Sequence, residues 1–399
     1  MQQSTTTTSP CAVANIPLVL VSALIGCCLV ALPAWAADPS DTLRAVVDAA
    51  IQPLMAEHDV PGMAVAVTVN GRAFFYNYGV ASRETQAPVS DATLFELGSI
   101  SKTFTATLAT YAQVQGKLSF SDHPGKYLPA LKGHPINKAS LLNLGTYTAG
   151  GLPLQFPDEV SNDQMVNYFQ QWKPQAATGQ QRRYSNPSIG LLGHITAVAL
   201  QSDFAHAMEH IIFPKLGMPG SYIRVPDSAM PNYAWGYDKA NHPVRVNPGV
   251  LDAQAYGVKS TATDMIRYVQ ANMAPDRLDE TMHRAVNGTH TGYFQAGDMV
   301  QGLGWESYPY PVTLERLQSG NSYTMITEAV AAKPLTPLPA QSKRTLFNKT
   351  GSTGGFGSYV AFVPDQKIGI VMLANKSYPI PARIAAAYAI LTQLEPLAK

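Results

Sequence analysis

The segments best suited to β-structure lie near the two ends of this chain, and that placement constrains its fold more than any other feature. Near the N-terminus, PGMAVAVTVNGRAFFYNYGVA (residues 61–81) holds two β-rich runs separated by Asn70-Gly71. Asn-Gly between such runs is the strongest short signal for a hairpin, because both residues tolerate the positive φ angles of a tight turn. Toward the other end, LFNKTGS (346–352), SYVAFVP (358–364) and IGIVMLAN (368–375) supply three further runs divided by Gly-rich or polar turns. An isolated hairpin is marginal in water and needs further strands. The two ends are therefore expected to meet in one antiparallel sheet of five strands.

Helices are expected to cover that sheet. Ser40–His58 places Leu43, Val46, Val47, Ala50, Ile51 and Leu54 on one side, the period of an amphipathic helix. A second helix is expected to open at Pro381, since proline suits the first helical position. Residues 117–287 read mainly as helices joined by long Pro/Gly-rich loops. The expected architecture is α+β: an antiparallel sheet flanked by helices, with a mostly helical second lobe. Residues 37–116 and 288–399 would form the α/β lobe, and 117–287 the helical lobe with cleft-lining loops. A cleft between lobes is a favoured place for a site.

No charged side chain precedes Asp38, and the apolar run Ile16–Leu32 ends in Ala34-Trp35-Ala36. Residues 1–36 accordingly read as a secretory signal peptide, although the threonine-rich start carries no Lys or Arg. Leu24-Ile25-Gly26-Cys27 also has the look of a lipoprotein acylation site, but apolar and small residues continue where a polar tether belongs. A periplasmic protein without stable membrane association is expected. Cys11, Cys27 and Cys28 are all of the cysteines, and all fall in this leader, so the mature chain must rely on its core rather than on disulfides. With 28 basic against 27 acidic residues and no dense basic cluster, the chain offers nucleic acid no electrostatic footprint. A small-molecule partner and a monomer are expected.

FELGSISKTF (95–104) breaks a local rule. Ser99 and Lys102 stand at the opening of an apolar-periodic helix, where a lysine faces the positive end of the helix dipole at a cost of roughly 0.3–1 kcal/mol. Three residues apart, they share one helical face. Alone, the pair is most simply a capping serine and a solvated lysine. Two later segments change the balance: RYSNPSIG (183–190), with Tyr184 and Asn186, and NKTGSTGGFGSYV (348–360), with Lys349-Thr350-Gly351 in a strand. Ser-x-x-Lys, a polar triplet and Lys-Thr-Gly, in that order, form the motif set of penicillin-recognising serine enzymes. The Gly-rich 351–357 stretch lacks the lysine-serine ending of a phosphate loop and reads as a hairpin turn. A rival motif, HAMEH (206–210), fits a zinc signature, but Phe204, Met208, Ile211 and Ile212 define the buried stripe and leave His206 and His210 on the opposite side. No metal is expected.

With Tyr184-Ser185-Asn186 as its middle motif, the chain resembles the class C (AmpC-type) serine β-lactamases, and the resemblance extends through TYTAGGLPLQFPDEV, DAQAYGVKST, GLGWE and VMLANKSYP. It implies the β-lactamase/DD-peptidase fold and hydrolysis of β-lactams, cephalosporins above all, through a Ser99 acyl-enzyme with no cofactor. It implies Lys102, Tyr184 and Lys349 as the proton-handling and electrostatic groups, with Lys102 and Tyr184 both candidates for general base. The oxyanion hole falls to the backbone N–H groups of Ser99 and Ser352. Gln155 and Asn186 would meet the acyl-amide side chain, Tyr256 would wall its pocket, and Lys349, Thr350 and Arg383 would face the carboxylate, with Gly351 leaving the approach to the strand clear. Ile380 stands where part of the family has asparagine. A DD-peptidase or serine esterase on the same scaffold, and a non-hydrolysing penicillin receptor, are the alternatives.

Overall fold

The computed structural model describes residues 39–336 and 344–398, so the expected leader and all three cysteines lie outside the described residues. The chain ends meet as the patterning predicts. Strands Gly62–Val69 and Arg72–Gly79 form the hairpin, with Asn70 at φ +52° and Gly71 at φ +82°. Gly62–Val69 pairs antiparallel with Ile368–Ala374, Met63 opposite Ala374 and Val69 opposite Ile368. Ile368–Ala374 pairs with Gly357–Val363, and that strand with Thr345–Ser352.

The sheet is wider than the expected five strands. Among the described residues it has ten, continuing from Thr345–Ser352 through Glu306–Pro309, Met299–Gln301, Phe294–Ala296, Ala329–Pro334 and Gln181–Arg183. These added strands are too short for period-two alternation to stand out. The last of them comes from the segment read as helix and loop.

Burial explains why the central strands read as continuous apolar runs. Every residue of Gly62–Val69, Gly357–Val363 and Ile368–Ala374 is buried, because helices cover both faces. Val65, Val67, Ile370 and Met372 share a core with Val47 and Ile51 of helix Pro39–Glu57 and Ile384 and Ile390 of helix Ile380–Leu394. Their alternating neighbours Ala64, Ala66, Val371 and Leu373 join a second core with Phe104 and Leu108 of helix Ser101–Val114. A third core holds Leu144, Phe169, Ile189 and Leu192. No helix of the described residues is long and apolar enough to cross a membrane.

Helix Ser101–Val114 is buried from Ser101 through Ala112. Its threonines would be orphaned there, but Thr107 and Thr110 donate to the carbonyls of Thr103 and Ala106 at 2.9 Å, one turn back. This central helix meets the sheet through a contact of backbone on backbone. Gly98 has φ +53°, and a Cβ there would lie 2.5 Å from Ser352 N. A Cβ on Gly351 would lie 1.9 Å from Leu97 O. Glycine is thus required on both sides, and at Gly351 the backbone contact alone demands it.

Gly351→Ala is therefore expected to lower the unfolding free energy by about 2–3 kcal/mol, the cost of overpacking against a backbone atom, and to reduce activity. Gly354, whose Cβ would meet nothing within 4 Å, is the control. Denaturant titration of Gly354→Ala should give near wild-type stability, and equal losses in the two variants would contradict the packing argument.

Candidate active site

Gly98–Ile100 makes a single 3₁₀ turn that runs directly into helix Ser101–Val114, so Lys102 is the helix's second residue. The simple readings of both residues fail here. Neither helix start carries a side-chain cap, and Lys102 is fully buried rather than solvated. Its Nζ donates to Ser99 Oγ and to the Ala255 carbonyl, each at 2.8 Å. Burial pushes its pKa down to about 8, with Tyr184 opposing and Lys349 adding to the fall. Desolvation is the largest of these causes.

Tyr184 owes its position to its neighbour. Ser185 caps helix Asn186–Ala199, its hydroxyl accepting from Ser188 N at 3.1 Å, with Pro187 in the first turn. This fixes the residues on either side of the cap. The Tyr184 ring centre lies 5.0 Å from Lys102 Nζ, 5.0 Å from Lys349 Nζ and 5.4 Å from Arg182 Cζ. Its hydroxyl is buried and makes no hydrogen bond of regular geometry among the described residues, but it interacts with the Ser99 hydroxyl and with the Lys102 and Lys349 ammonium groups. Burial alone would raise the phenol's pKa, but Lys102 and Lys349 outweigh it and the net shift is downward.

Glu306 faces the same cations. It lies 3.2 Å from Arg182 and 3.6 Å from Lys349. Burial acts to lower the Lys349 pKa, yet Glu306 and Tyr184 reverse this and raise it. Two lysines on one phenol are thus driven apart: Lys349 keeps its charge, and Lys102 holds its proton weakly. Divergent shifts of this kind mark acid–base machinery. Arg182 is tied down further by Gln301 Oε1 and the Met325 carbonyl, both at 2.7 Å. Neither Arg182 nor Glu306 was singled out from sequence. Arg182 precedes a recognisable motif by two residues and Glu306 ends GLGWE, but the short strand placing Glu306 opposite Asn348 has no readable pattern.

A cavity of about 360 Å³ opens over these groups. Ser99, Tyr184 and Lys349 line it, together with Thr350, Gly351 and Ser352 at the strand end. Gln155, Asn186 and Tyr256 line it from the helical side, and Asn186 Nδ2 donates to Gln155 Oε1 at 2.9 Å. Lys102 reaches the cavity only through Ser99. Leu154, Val246, Met325, Ile326 and Ile380 make the apolar lining.

Arg383 departs from expectation. It is 1 % exposed, does not line the cavity, and donates to the Gly351 carbonyl at 2.6 Å, to Ser352 Oγ at 2.9 Å and to the Tyr378 carbonyl. Its guanidinium is spent on holding the strand end in place. His206 and His210 are exposed, their ring centres 4.3 Å apart, while Glu209 accepts from the backbone of Ile223 and Arg224. Among the described residues no group of three or more metal-ligating side chains assembles there or elsewhere. What the cavity offers is a serine bonded to a buried lysine, a phenol in a cationic field, and an amide pair. That set suits nucleophilic acyl transfer.

A family profile described as Beta-lactamase matches residues 47–395. A beta-lactamase of Pseudomonas fluorescens is 53% identical over 354 residues, 88% of this chain and 99% of that protein. A class C beta-lactamase solved in complex with cefoxitin is 48% identical, with a TM-score of 0.86 over 89% of this chain and 99% of its own. A beta-lactamase/D-alanine carboxypeptidase from Pseudomonas syringae is 46% identical, with a TM-score of 0.86 over 88% and 99%.

The depressed Lys102 pKa has a stability consequence. Lys102 is charged below pH 10.5 when unfolded but only below about 8 when folded. Its burial therefore destabilises the fold fully below pH 8, and the penalty shrinks between pH 8 and 10.5, where the unfolded chain binds more protons. Lys102→Met is expected to abolish activity yet stabilise the protein by roughly 2 kcal/mol at pH 7, after allowance for the two lost hydrogen bonds. The advantage should narrow as pH rises to 10.5. Urea titrations of both proteins across that range would check it, and a variant less stable than wild type at pH 7 would contradict it.

Proposed function

The chain belongs to the beta-lactamase family and is a class C serine β-lactam hydrolase; from that premise we propose the following division of labour among its residues. Ser99 Oγ attacks the lactam carbonyl. Its proton passes to the Lys102–Tyr184 pair, Lys102 being the hydrogen-bonded acceptor and the Tyr184 phenol the relay. The backbone N–H groups of Ser99 and Ser352 hold the oxyanion, an arrangement supported by the close approach of Gly98 to the Ser352 backbone. As the carbonyl re-forms, the C–N bond breaks and the ring nitrogen takes a proton from Tyr184, leaving a Ser99 ester. Water, deprotonated by Tyr184, then attacks the ester carbonyl; the bond from that carbon to Ser99 Oγ breaks, Oγ takes the proton back through Tyr184, and the opened product leaves with the free enzyme restored.

Lys349 and Thr350 meet the substrate carboxylate, Asn186 and Gln155 its acyl amide, and Tyr256 walls the side-chain pocket. Arg383 acts on the carboxylate only through the strand end it holds. The preferred substrates are cephalosporins rather than bulky oxyimino compounds, and the enzyme works in the periplasm after loss of residues 1–36. The same nucleophile supports a secondary D-alanine carboxypeptidase activity, the second activity named for the Pseudomonas syringae relative.

One observation carries this reading: the Tyr184 oxygen is buried, set in the field of two lysines and within hydrogen-bonding reach of Ser99, Lys102 and Lys349. A proton relay needs an oxygen that meets both the nucleophile and the base.

Ser99→Ala is expected to lose all but a trace of hydrolysis with unchanged thermal unfolding. Tyr184→Phe is expected to slow both formation and loss of the cephalosporin adduct by about 10²–10⁴-fold, followed by intact-protein mass spectrometry after rapid mixing. A wild-type adduct lasting for hours with good cephalosporins would mean a receptor or a peptidase, and unaltered rates in Tyr184→Phe would remove the phenol from the mechanism.

A further inference from the structure

Glu96 stands three residues before Ser99, is 1 % exposed, and has no part in the chemistry above. Its carboxylate is nevertheless fully engaged. Oε1 accepts from the Tyr233 hydroxyl at 2.6 Å and from Val246 N at 2.7 Å, and Oε2 accepts from Thr353 Oγ1 at 2.5 Å. Val246 and Thr353 both line the cavity but belong to different segments. Thr353 immediately follows Ser352 at the end of strand Thr345–Ser352, whereas Val246 lies in the loop that continues to Tyr256.

The groups around this carboxylate are themselves fixed. The Glu96 backbone pairs with Lys259, and its carbonyl accepts from Ser358 Oγ at 3.3 Å. Arg245 lies 4.0 Å from the Tyr233 ring centre and 4.2 Å from that of Trp235, and donates to the carbonyls of Tyr233 and Ala234. The Glu96 charge in turn supports the charged forms of Arg245 and Lys259 against their burial. The carboxylate therefore joins three rigid pieces: the turn bearing Ser99, the strand end bearing Ser352, and the loop bearing Val246.

We propose that Glu96 is a positioning residue that sets the spacing of these three walls and thereby determines which acyl side chains the cavity accepts. The inference rests on the β-lactam reading of the site. A carboxylate suits this junction, because Oε1 takes the obligate Val246 N–H together with the Tyr233 hydroxyl and Oε2 takes the Thr353 hydroxyl, each as a charge-assisted bond. Glutamine has the same shape but no charge: its amide oxygen can still accept from Val246 N and Tyr233, while its NH₂ must donate to Thr353 Oγ1, so the Thr353 bond reverses and all three lose their charge assistance.

The test compares kcat and KM for two cephalosporins that differ only in the acyl side chain, one small and unbranched, one a bulky oxyimino group. In Glu96→Gln the ratio of the two kcat/KM values is expected to move at least about tenfold from wild type, chiefly through KM. A parallel fall for both compounds, with the ratio unchanged, is what a merely structural role gives and would overturn the proposal. Should Glu96→Gln fail to fold, Thr353→Val and Tyr233→Phe each remove one of the three bonds and should move the ratio about threefold; an unchanged ratio in both would overturn it equally. Failure of the functional premise is separately visible, since wild type would then hydrolyse neither compound.

Discussion

Buried positive charge in excess of its counter-charge is the condition on which this site depends. Lys102, Arg182 and Lys349 are each at most 2 % exposed and surround one phenol, with Glu306 as the carboxylate that faces them. Water cannot screen the imbalance, so it is expressed in the weakest proton holders. Tyr184 becomes more acidic despite its burial, and Lys102, which is bonded to neutral oxygens and already weakened by desolvation, gives way at about pH 8 with Lys349 adding to the fall. Such an arrangement costs stability, since unpaired buried charge opposes folding. Its retention marks the place where local rules yield to chemistry.

The fold supplies the framework that tolerates this cost. Lys349 is carried by a strand of the sheet, Lys102 by a helix buried nearly all round, and Tyr184 sits beside a capped helix start. These three elements are far apart in the chain and meet only because the N- and C-terminal strands close one sheet. The junction between them is narrow. Gly98 and Gly351 let the turn before Ser99 press against the backbone of Thr345–Ser352, and Arg383 and Glu96 brace that strand end from two sides. The turn bearing Ser99, the strand end and the loop wall are thus tied to one another by backbone contact and hydrogen bonds.

Much of this was legible in the sequence because it is written in local signals. Asn70-Gly71 announced its hairpin, the apolar runs announced the central strands, and Ser-x-x-Lys, Tyr-Ser-Asn and Lys-Thr-Gly marked residues that the fold gathers around one cavity. What escaped has non-local causes. Strands such as Met299–Gln301 and Gln181–Arg183 exist because neighbours pair with them, not because their residues prefer β-structure. Glu306 and Arg182 look like surface charges until the sheet turns them inward. The resemblance implies Arg383 as facing the carboxylate, whereas its hydrogen bonds go to the Gly351 carbonyl, the Ser352 hydroxyl and the Tyr378 carbonyl. Burial of Lys102 could not be foreseen from a first-turn position, and it is the main reason the lysine's proton is weakly held.

The most direct test of the account is the titration of Tyr184 itself. Protein labelled with ¹³Cζ-tyrosine, compared with a Tyr184→Phe spectrum to assign the resonance, reports the phenol's ionisation by its chemical shift. The cationic field predicts a midpoint below the ordinary value of 10.0 in the free enzyme. A midpoint at or above 10.0, as burial alone would give and as Tyr359 is expected to show, would contradict the claim that the surrounding lysines govern the site.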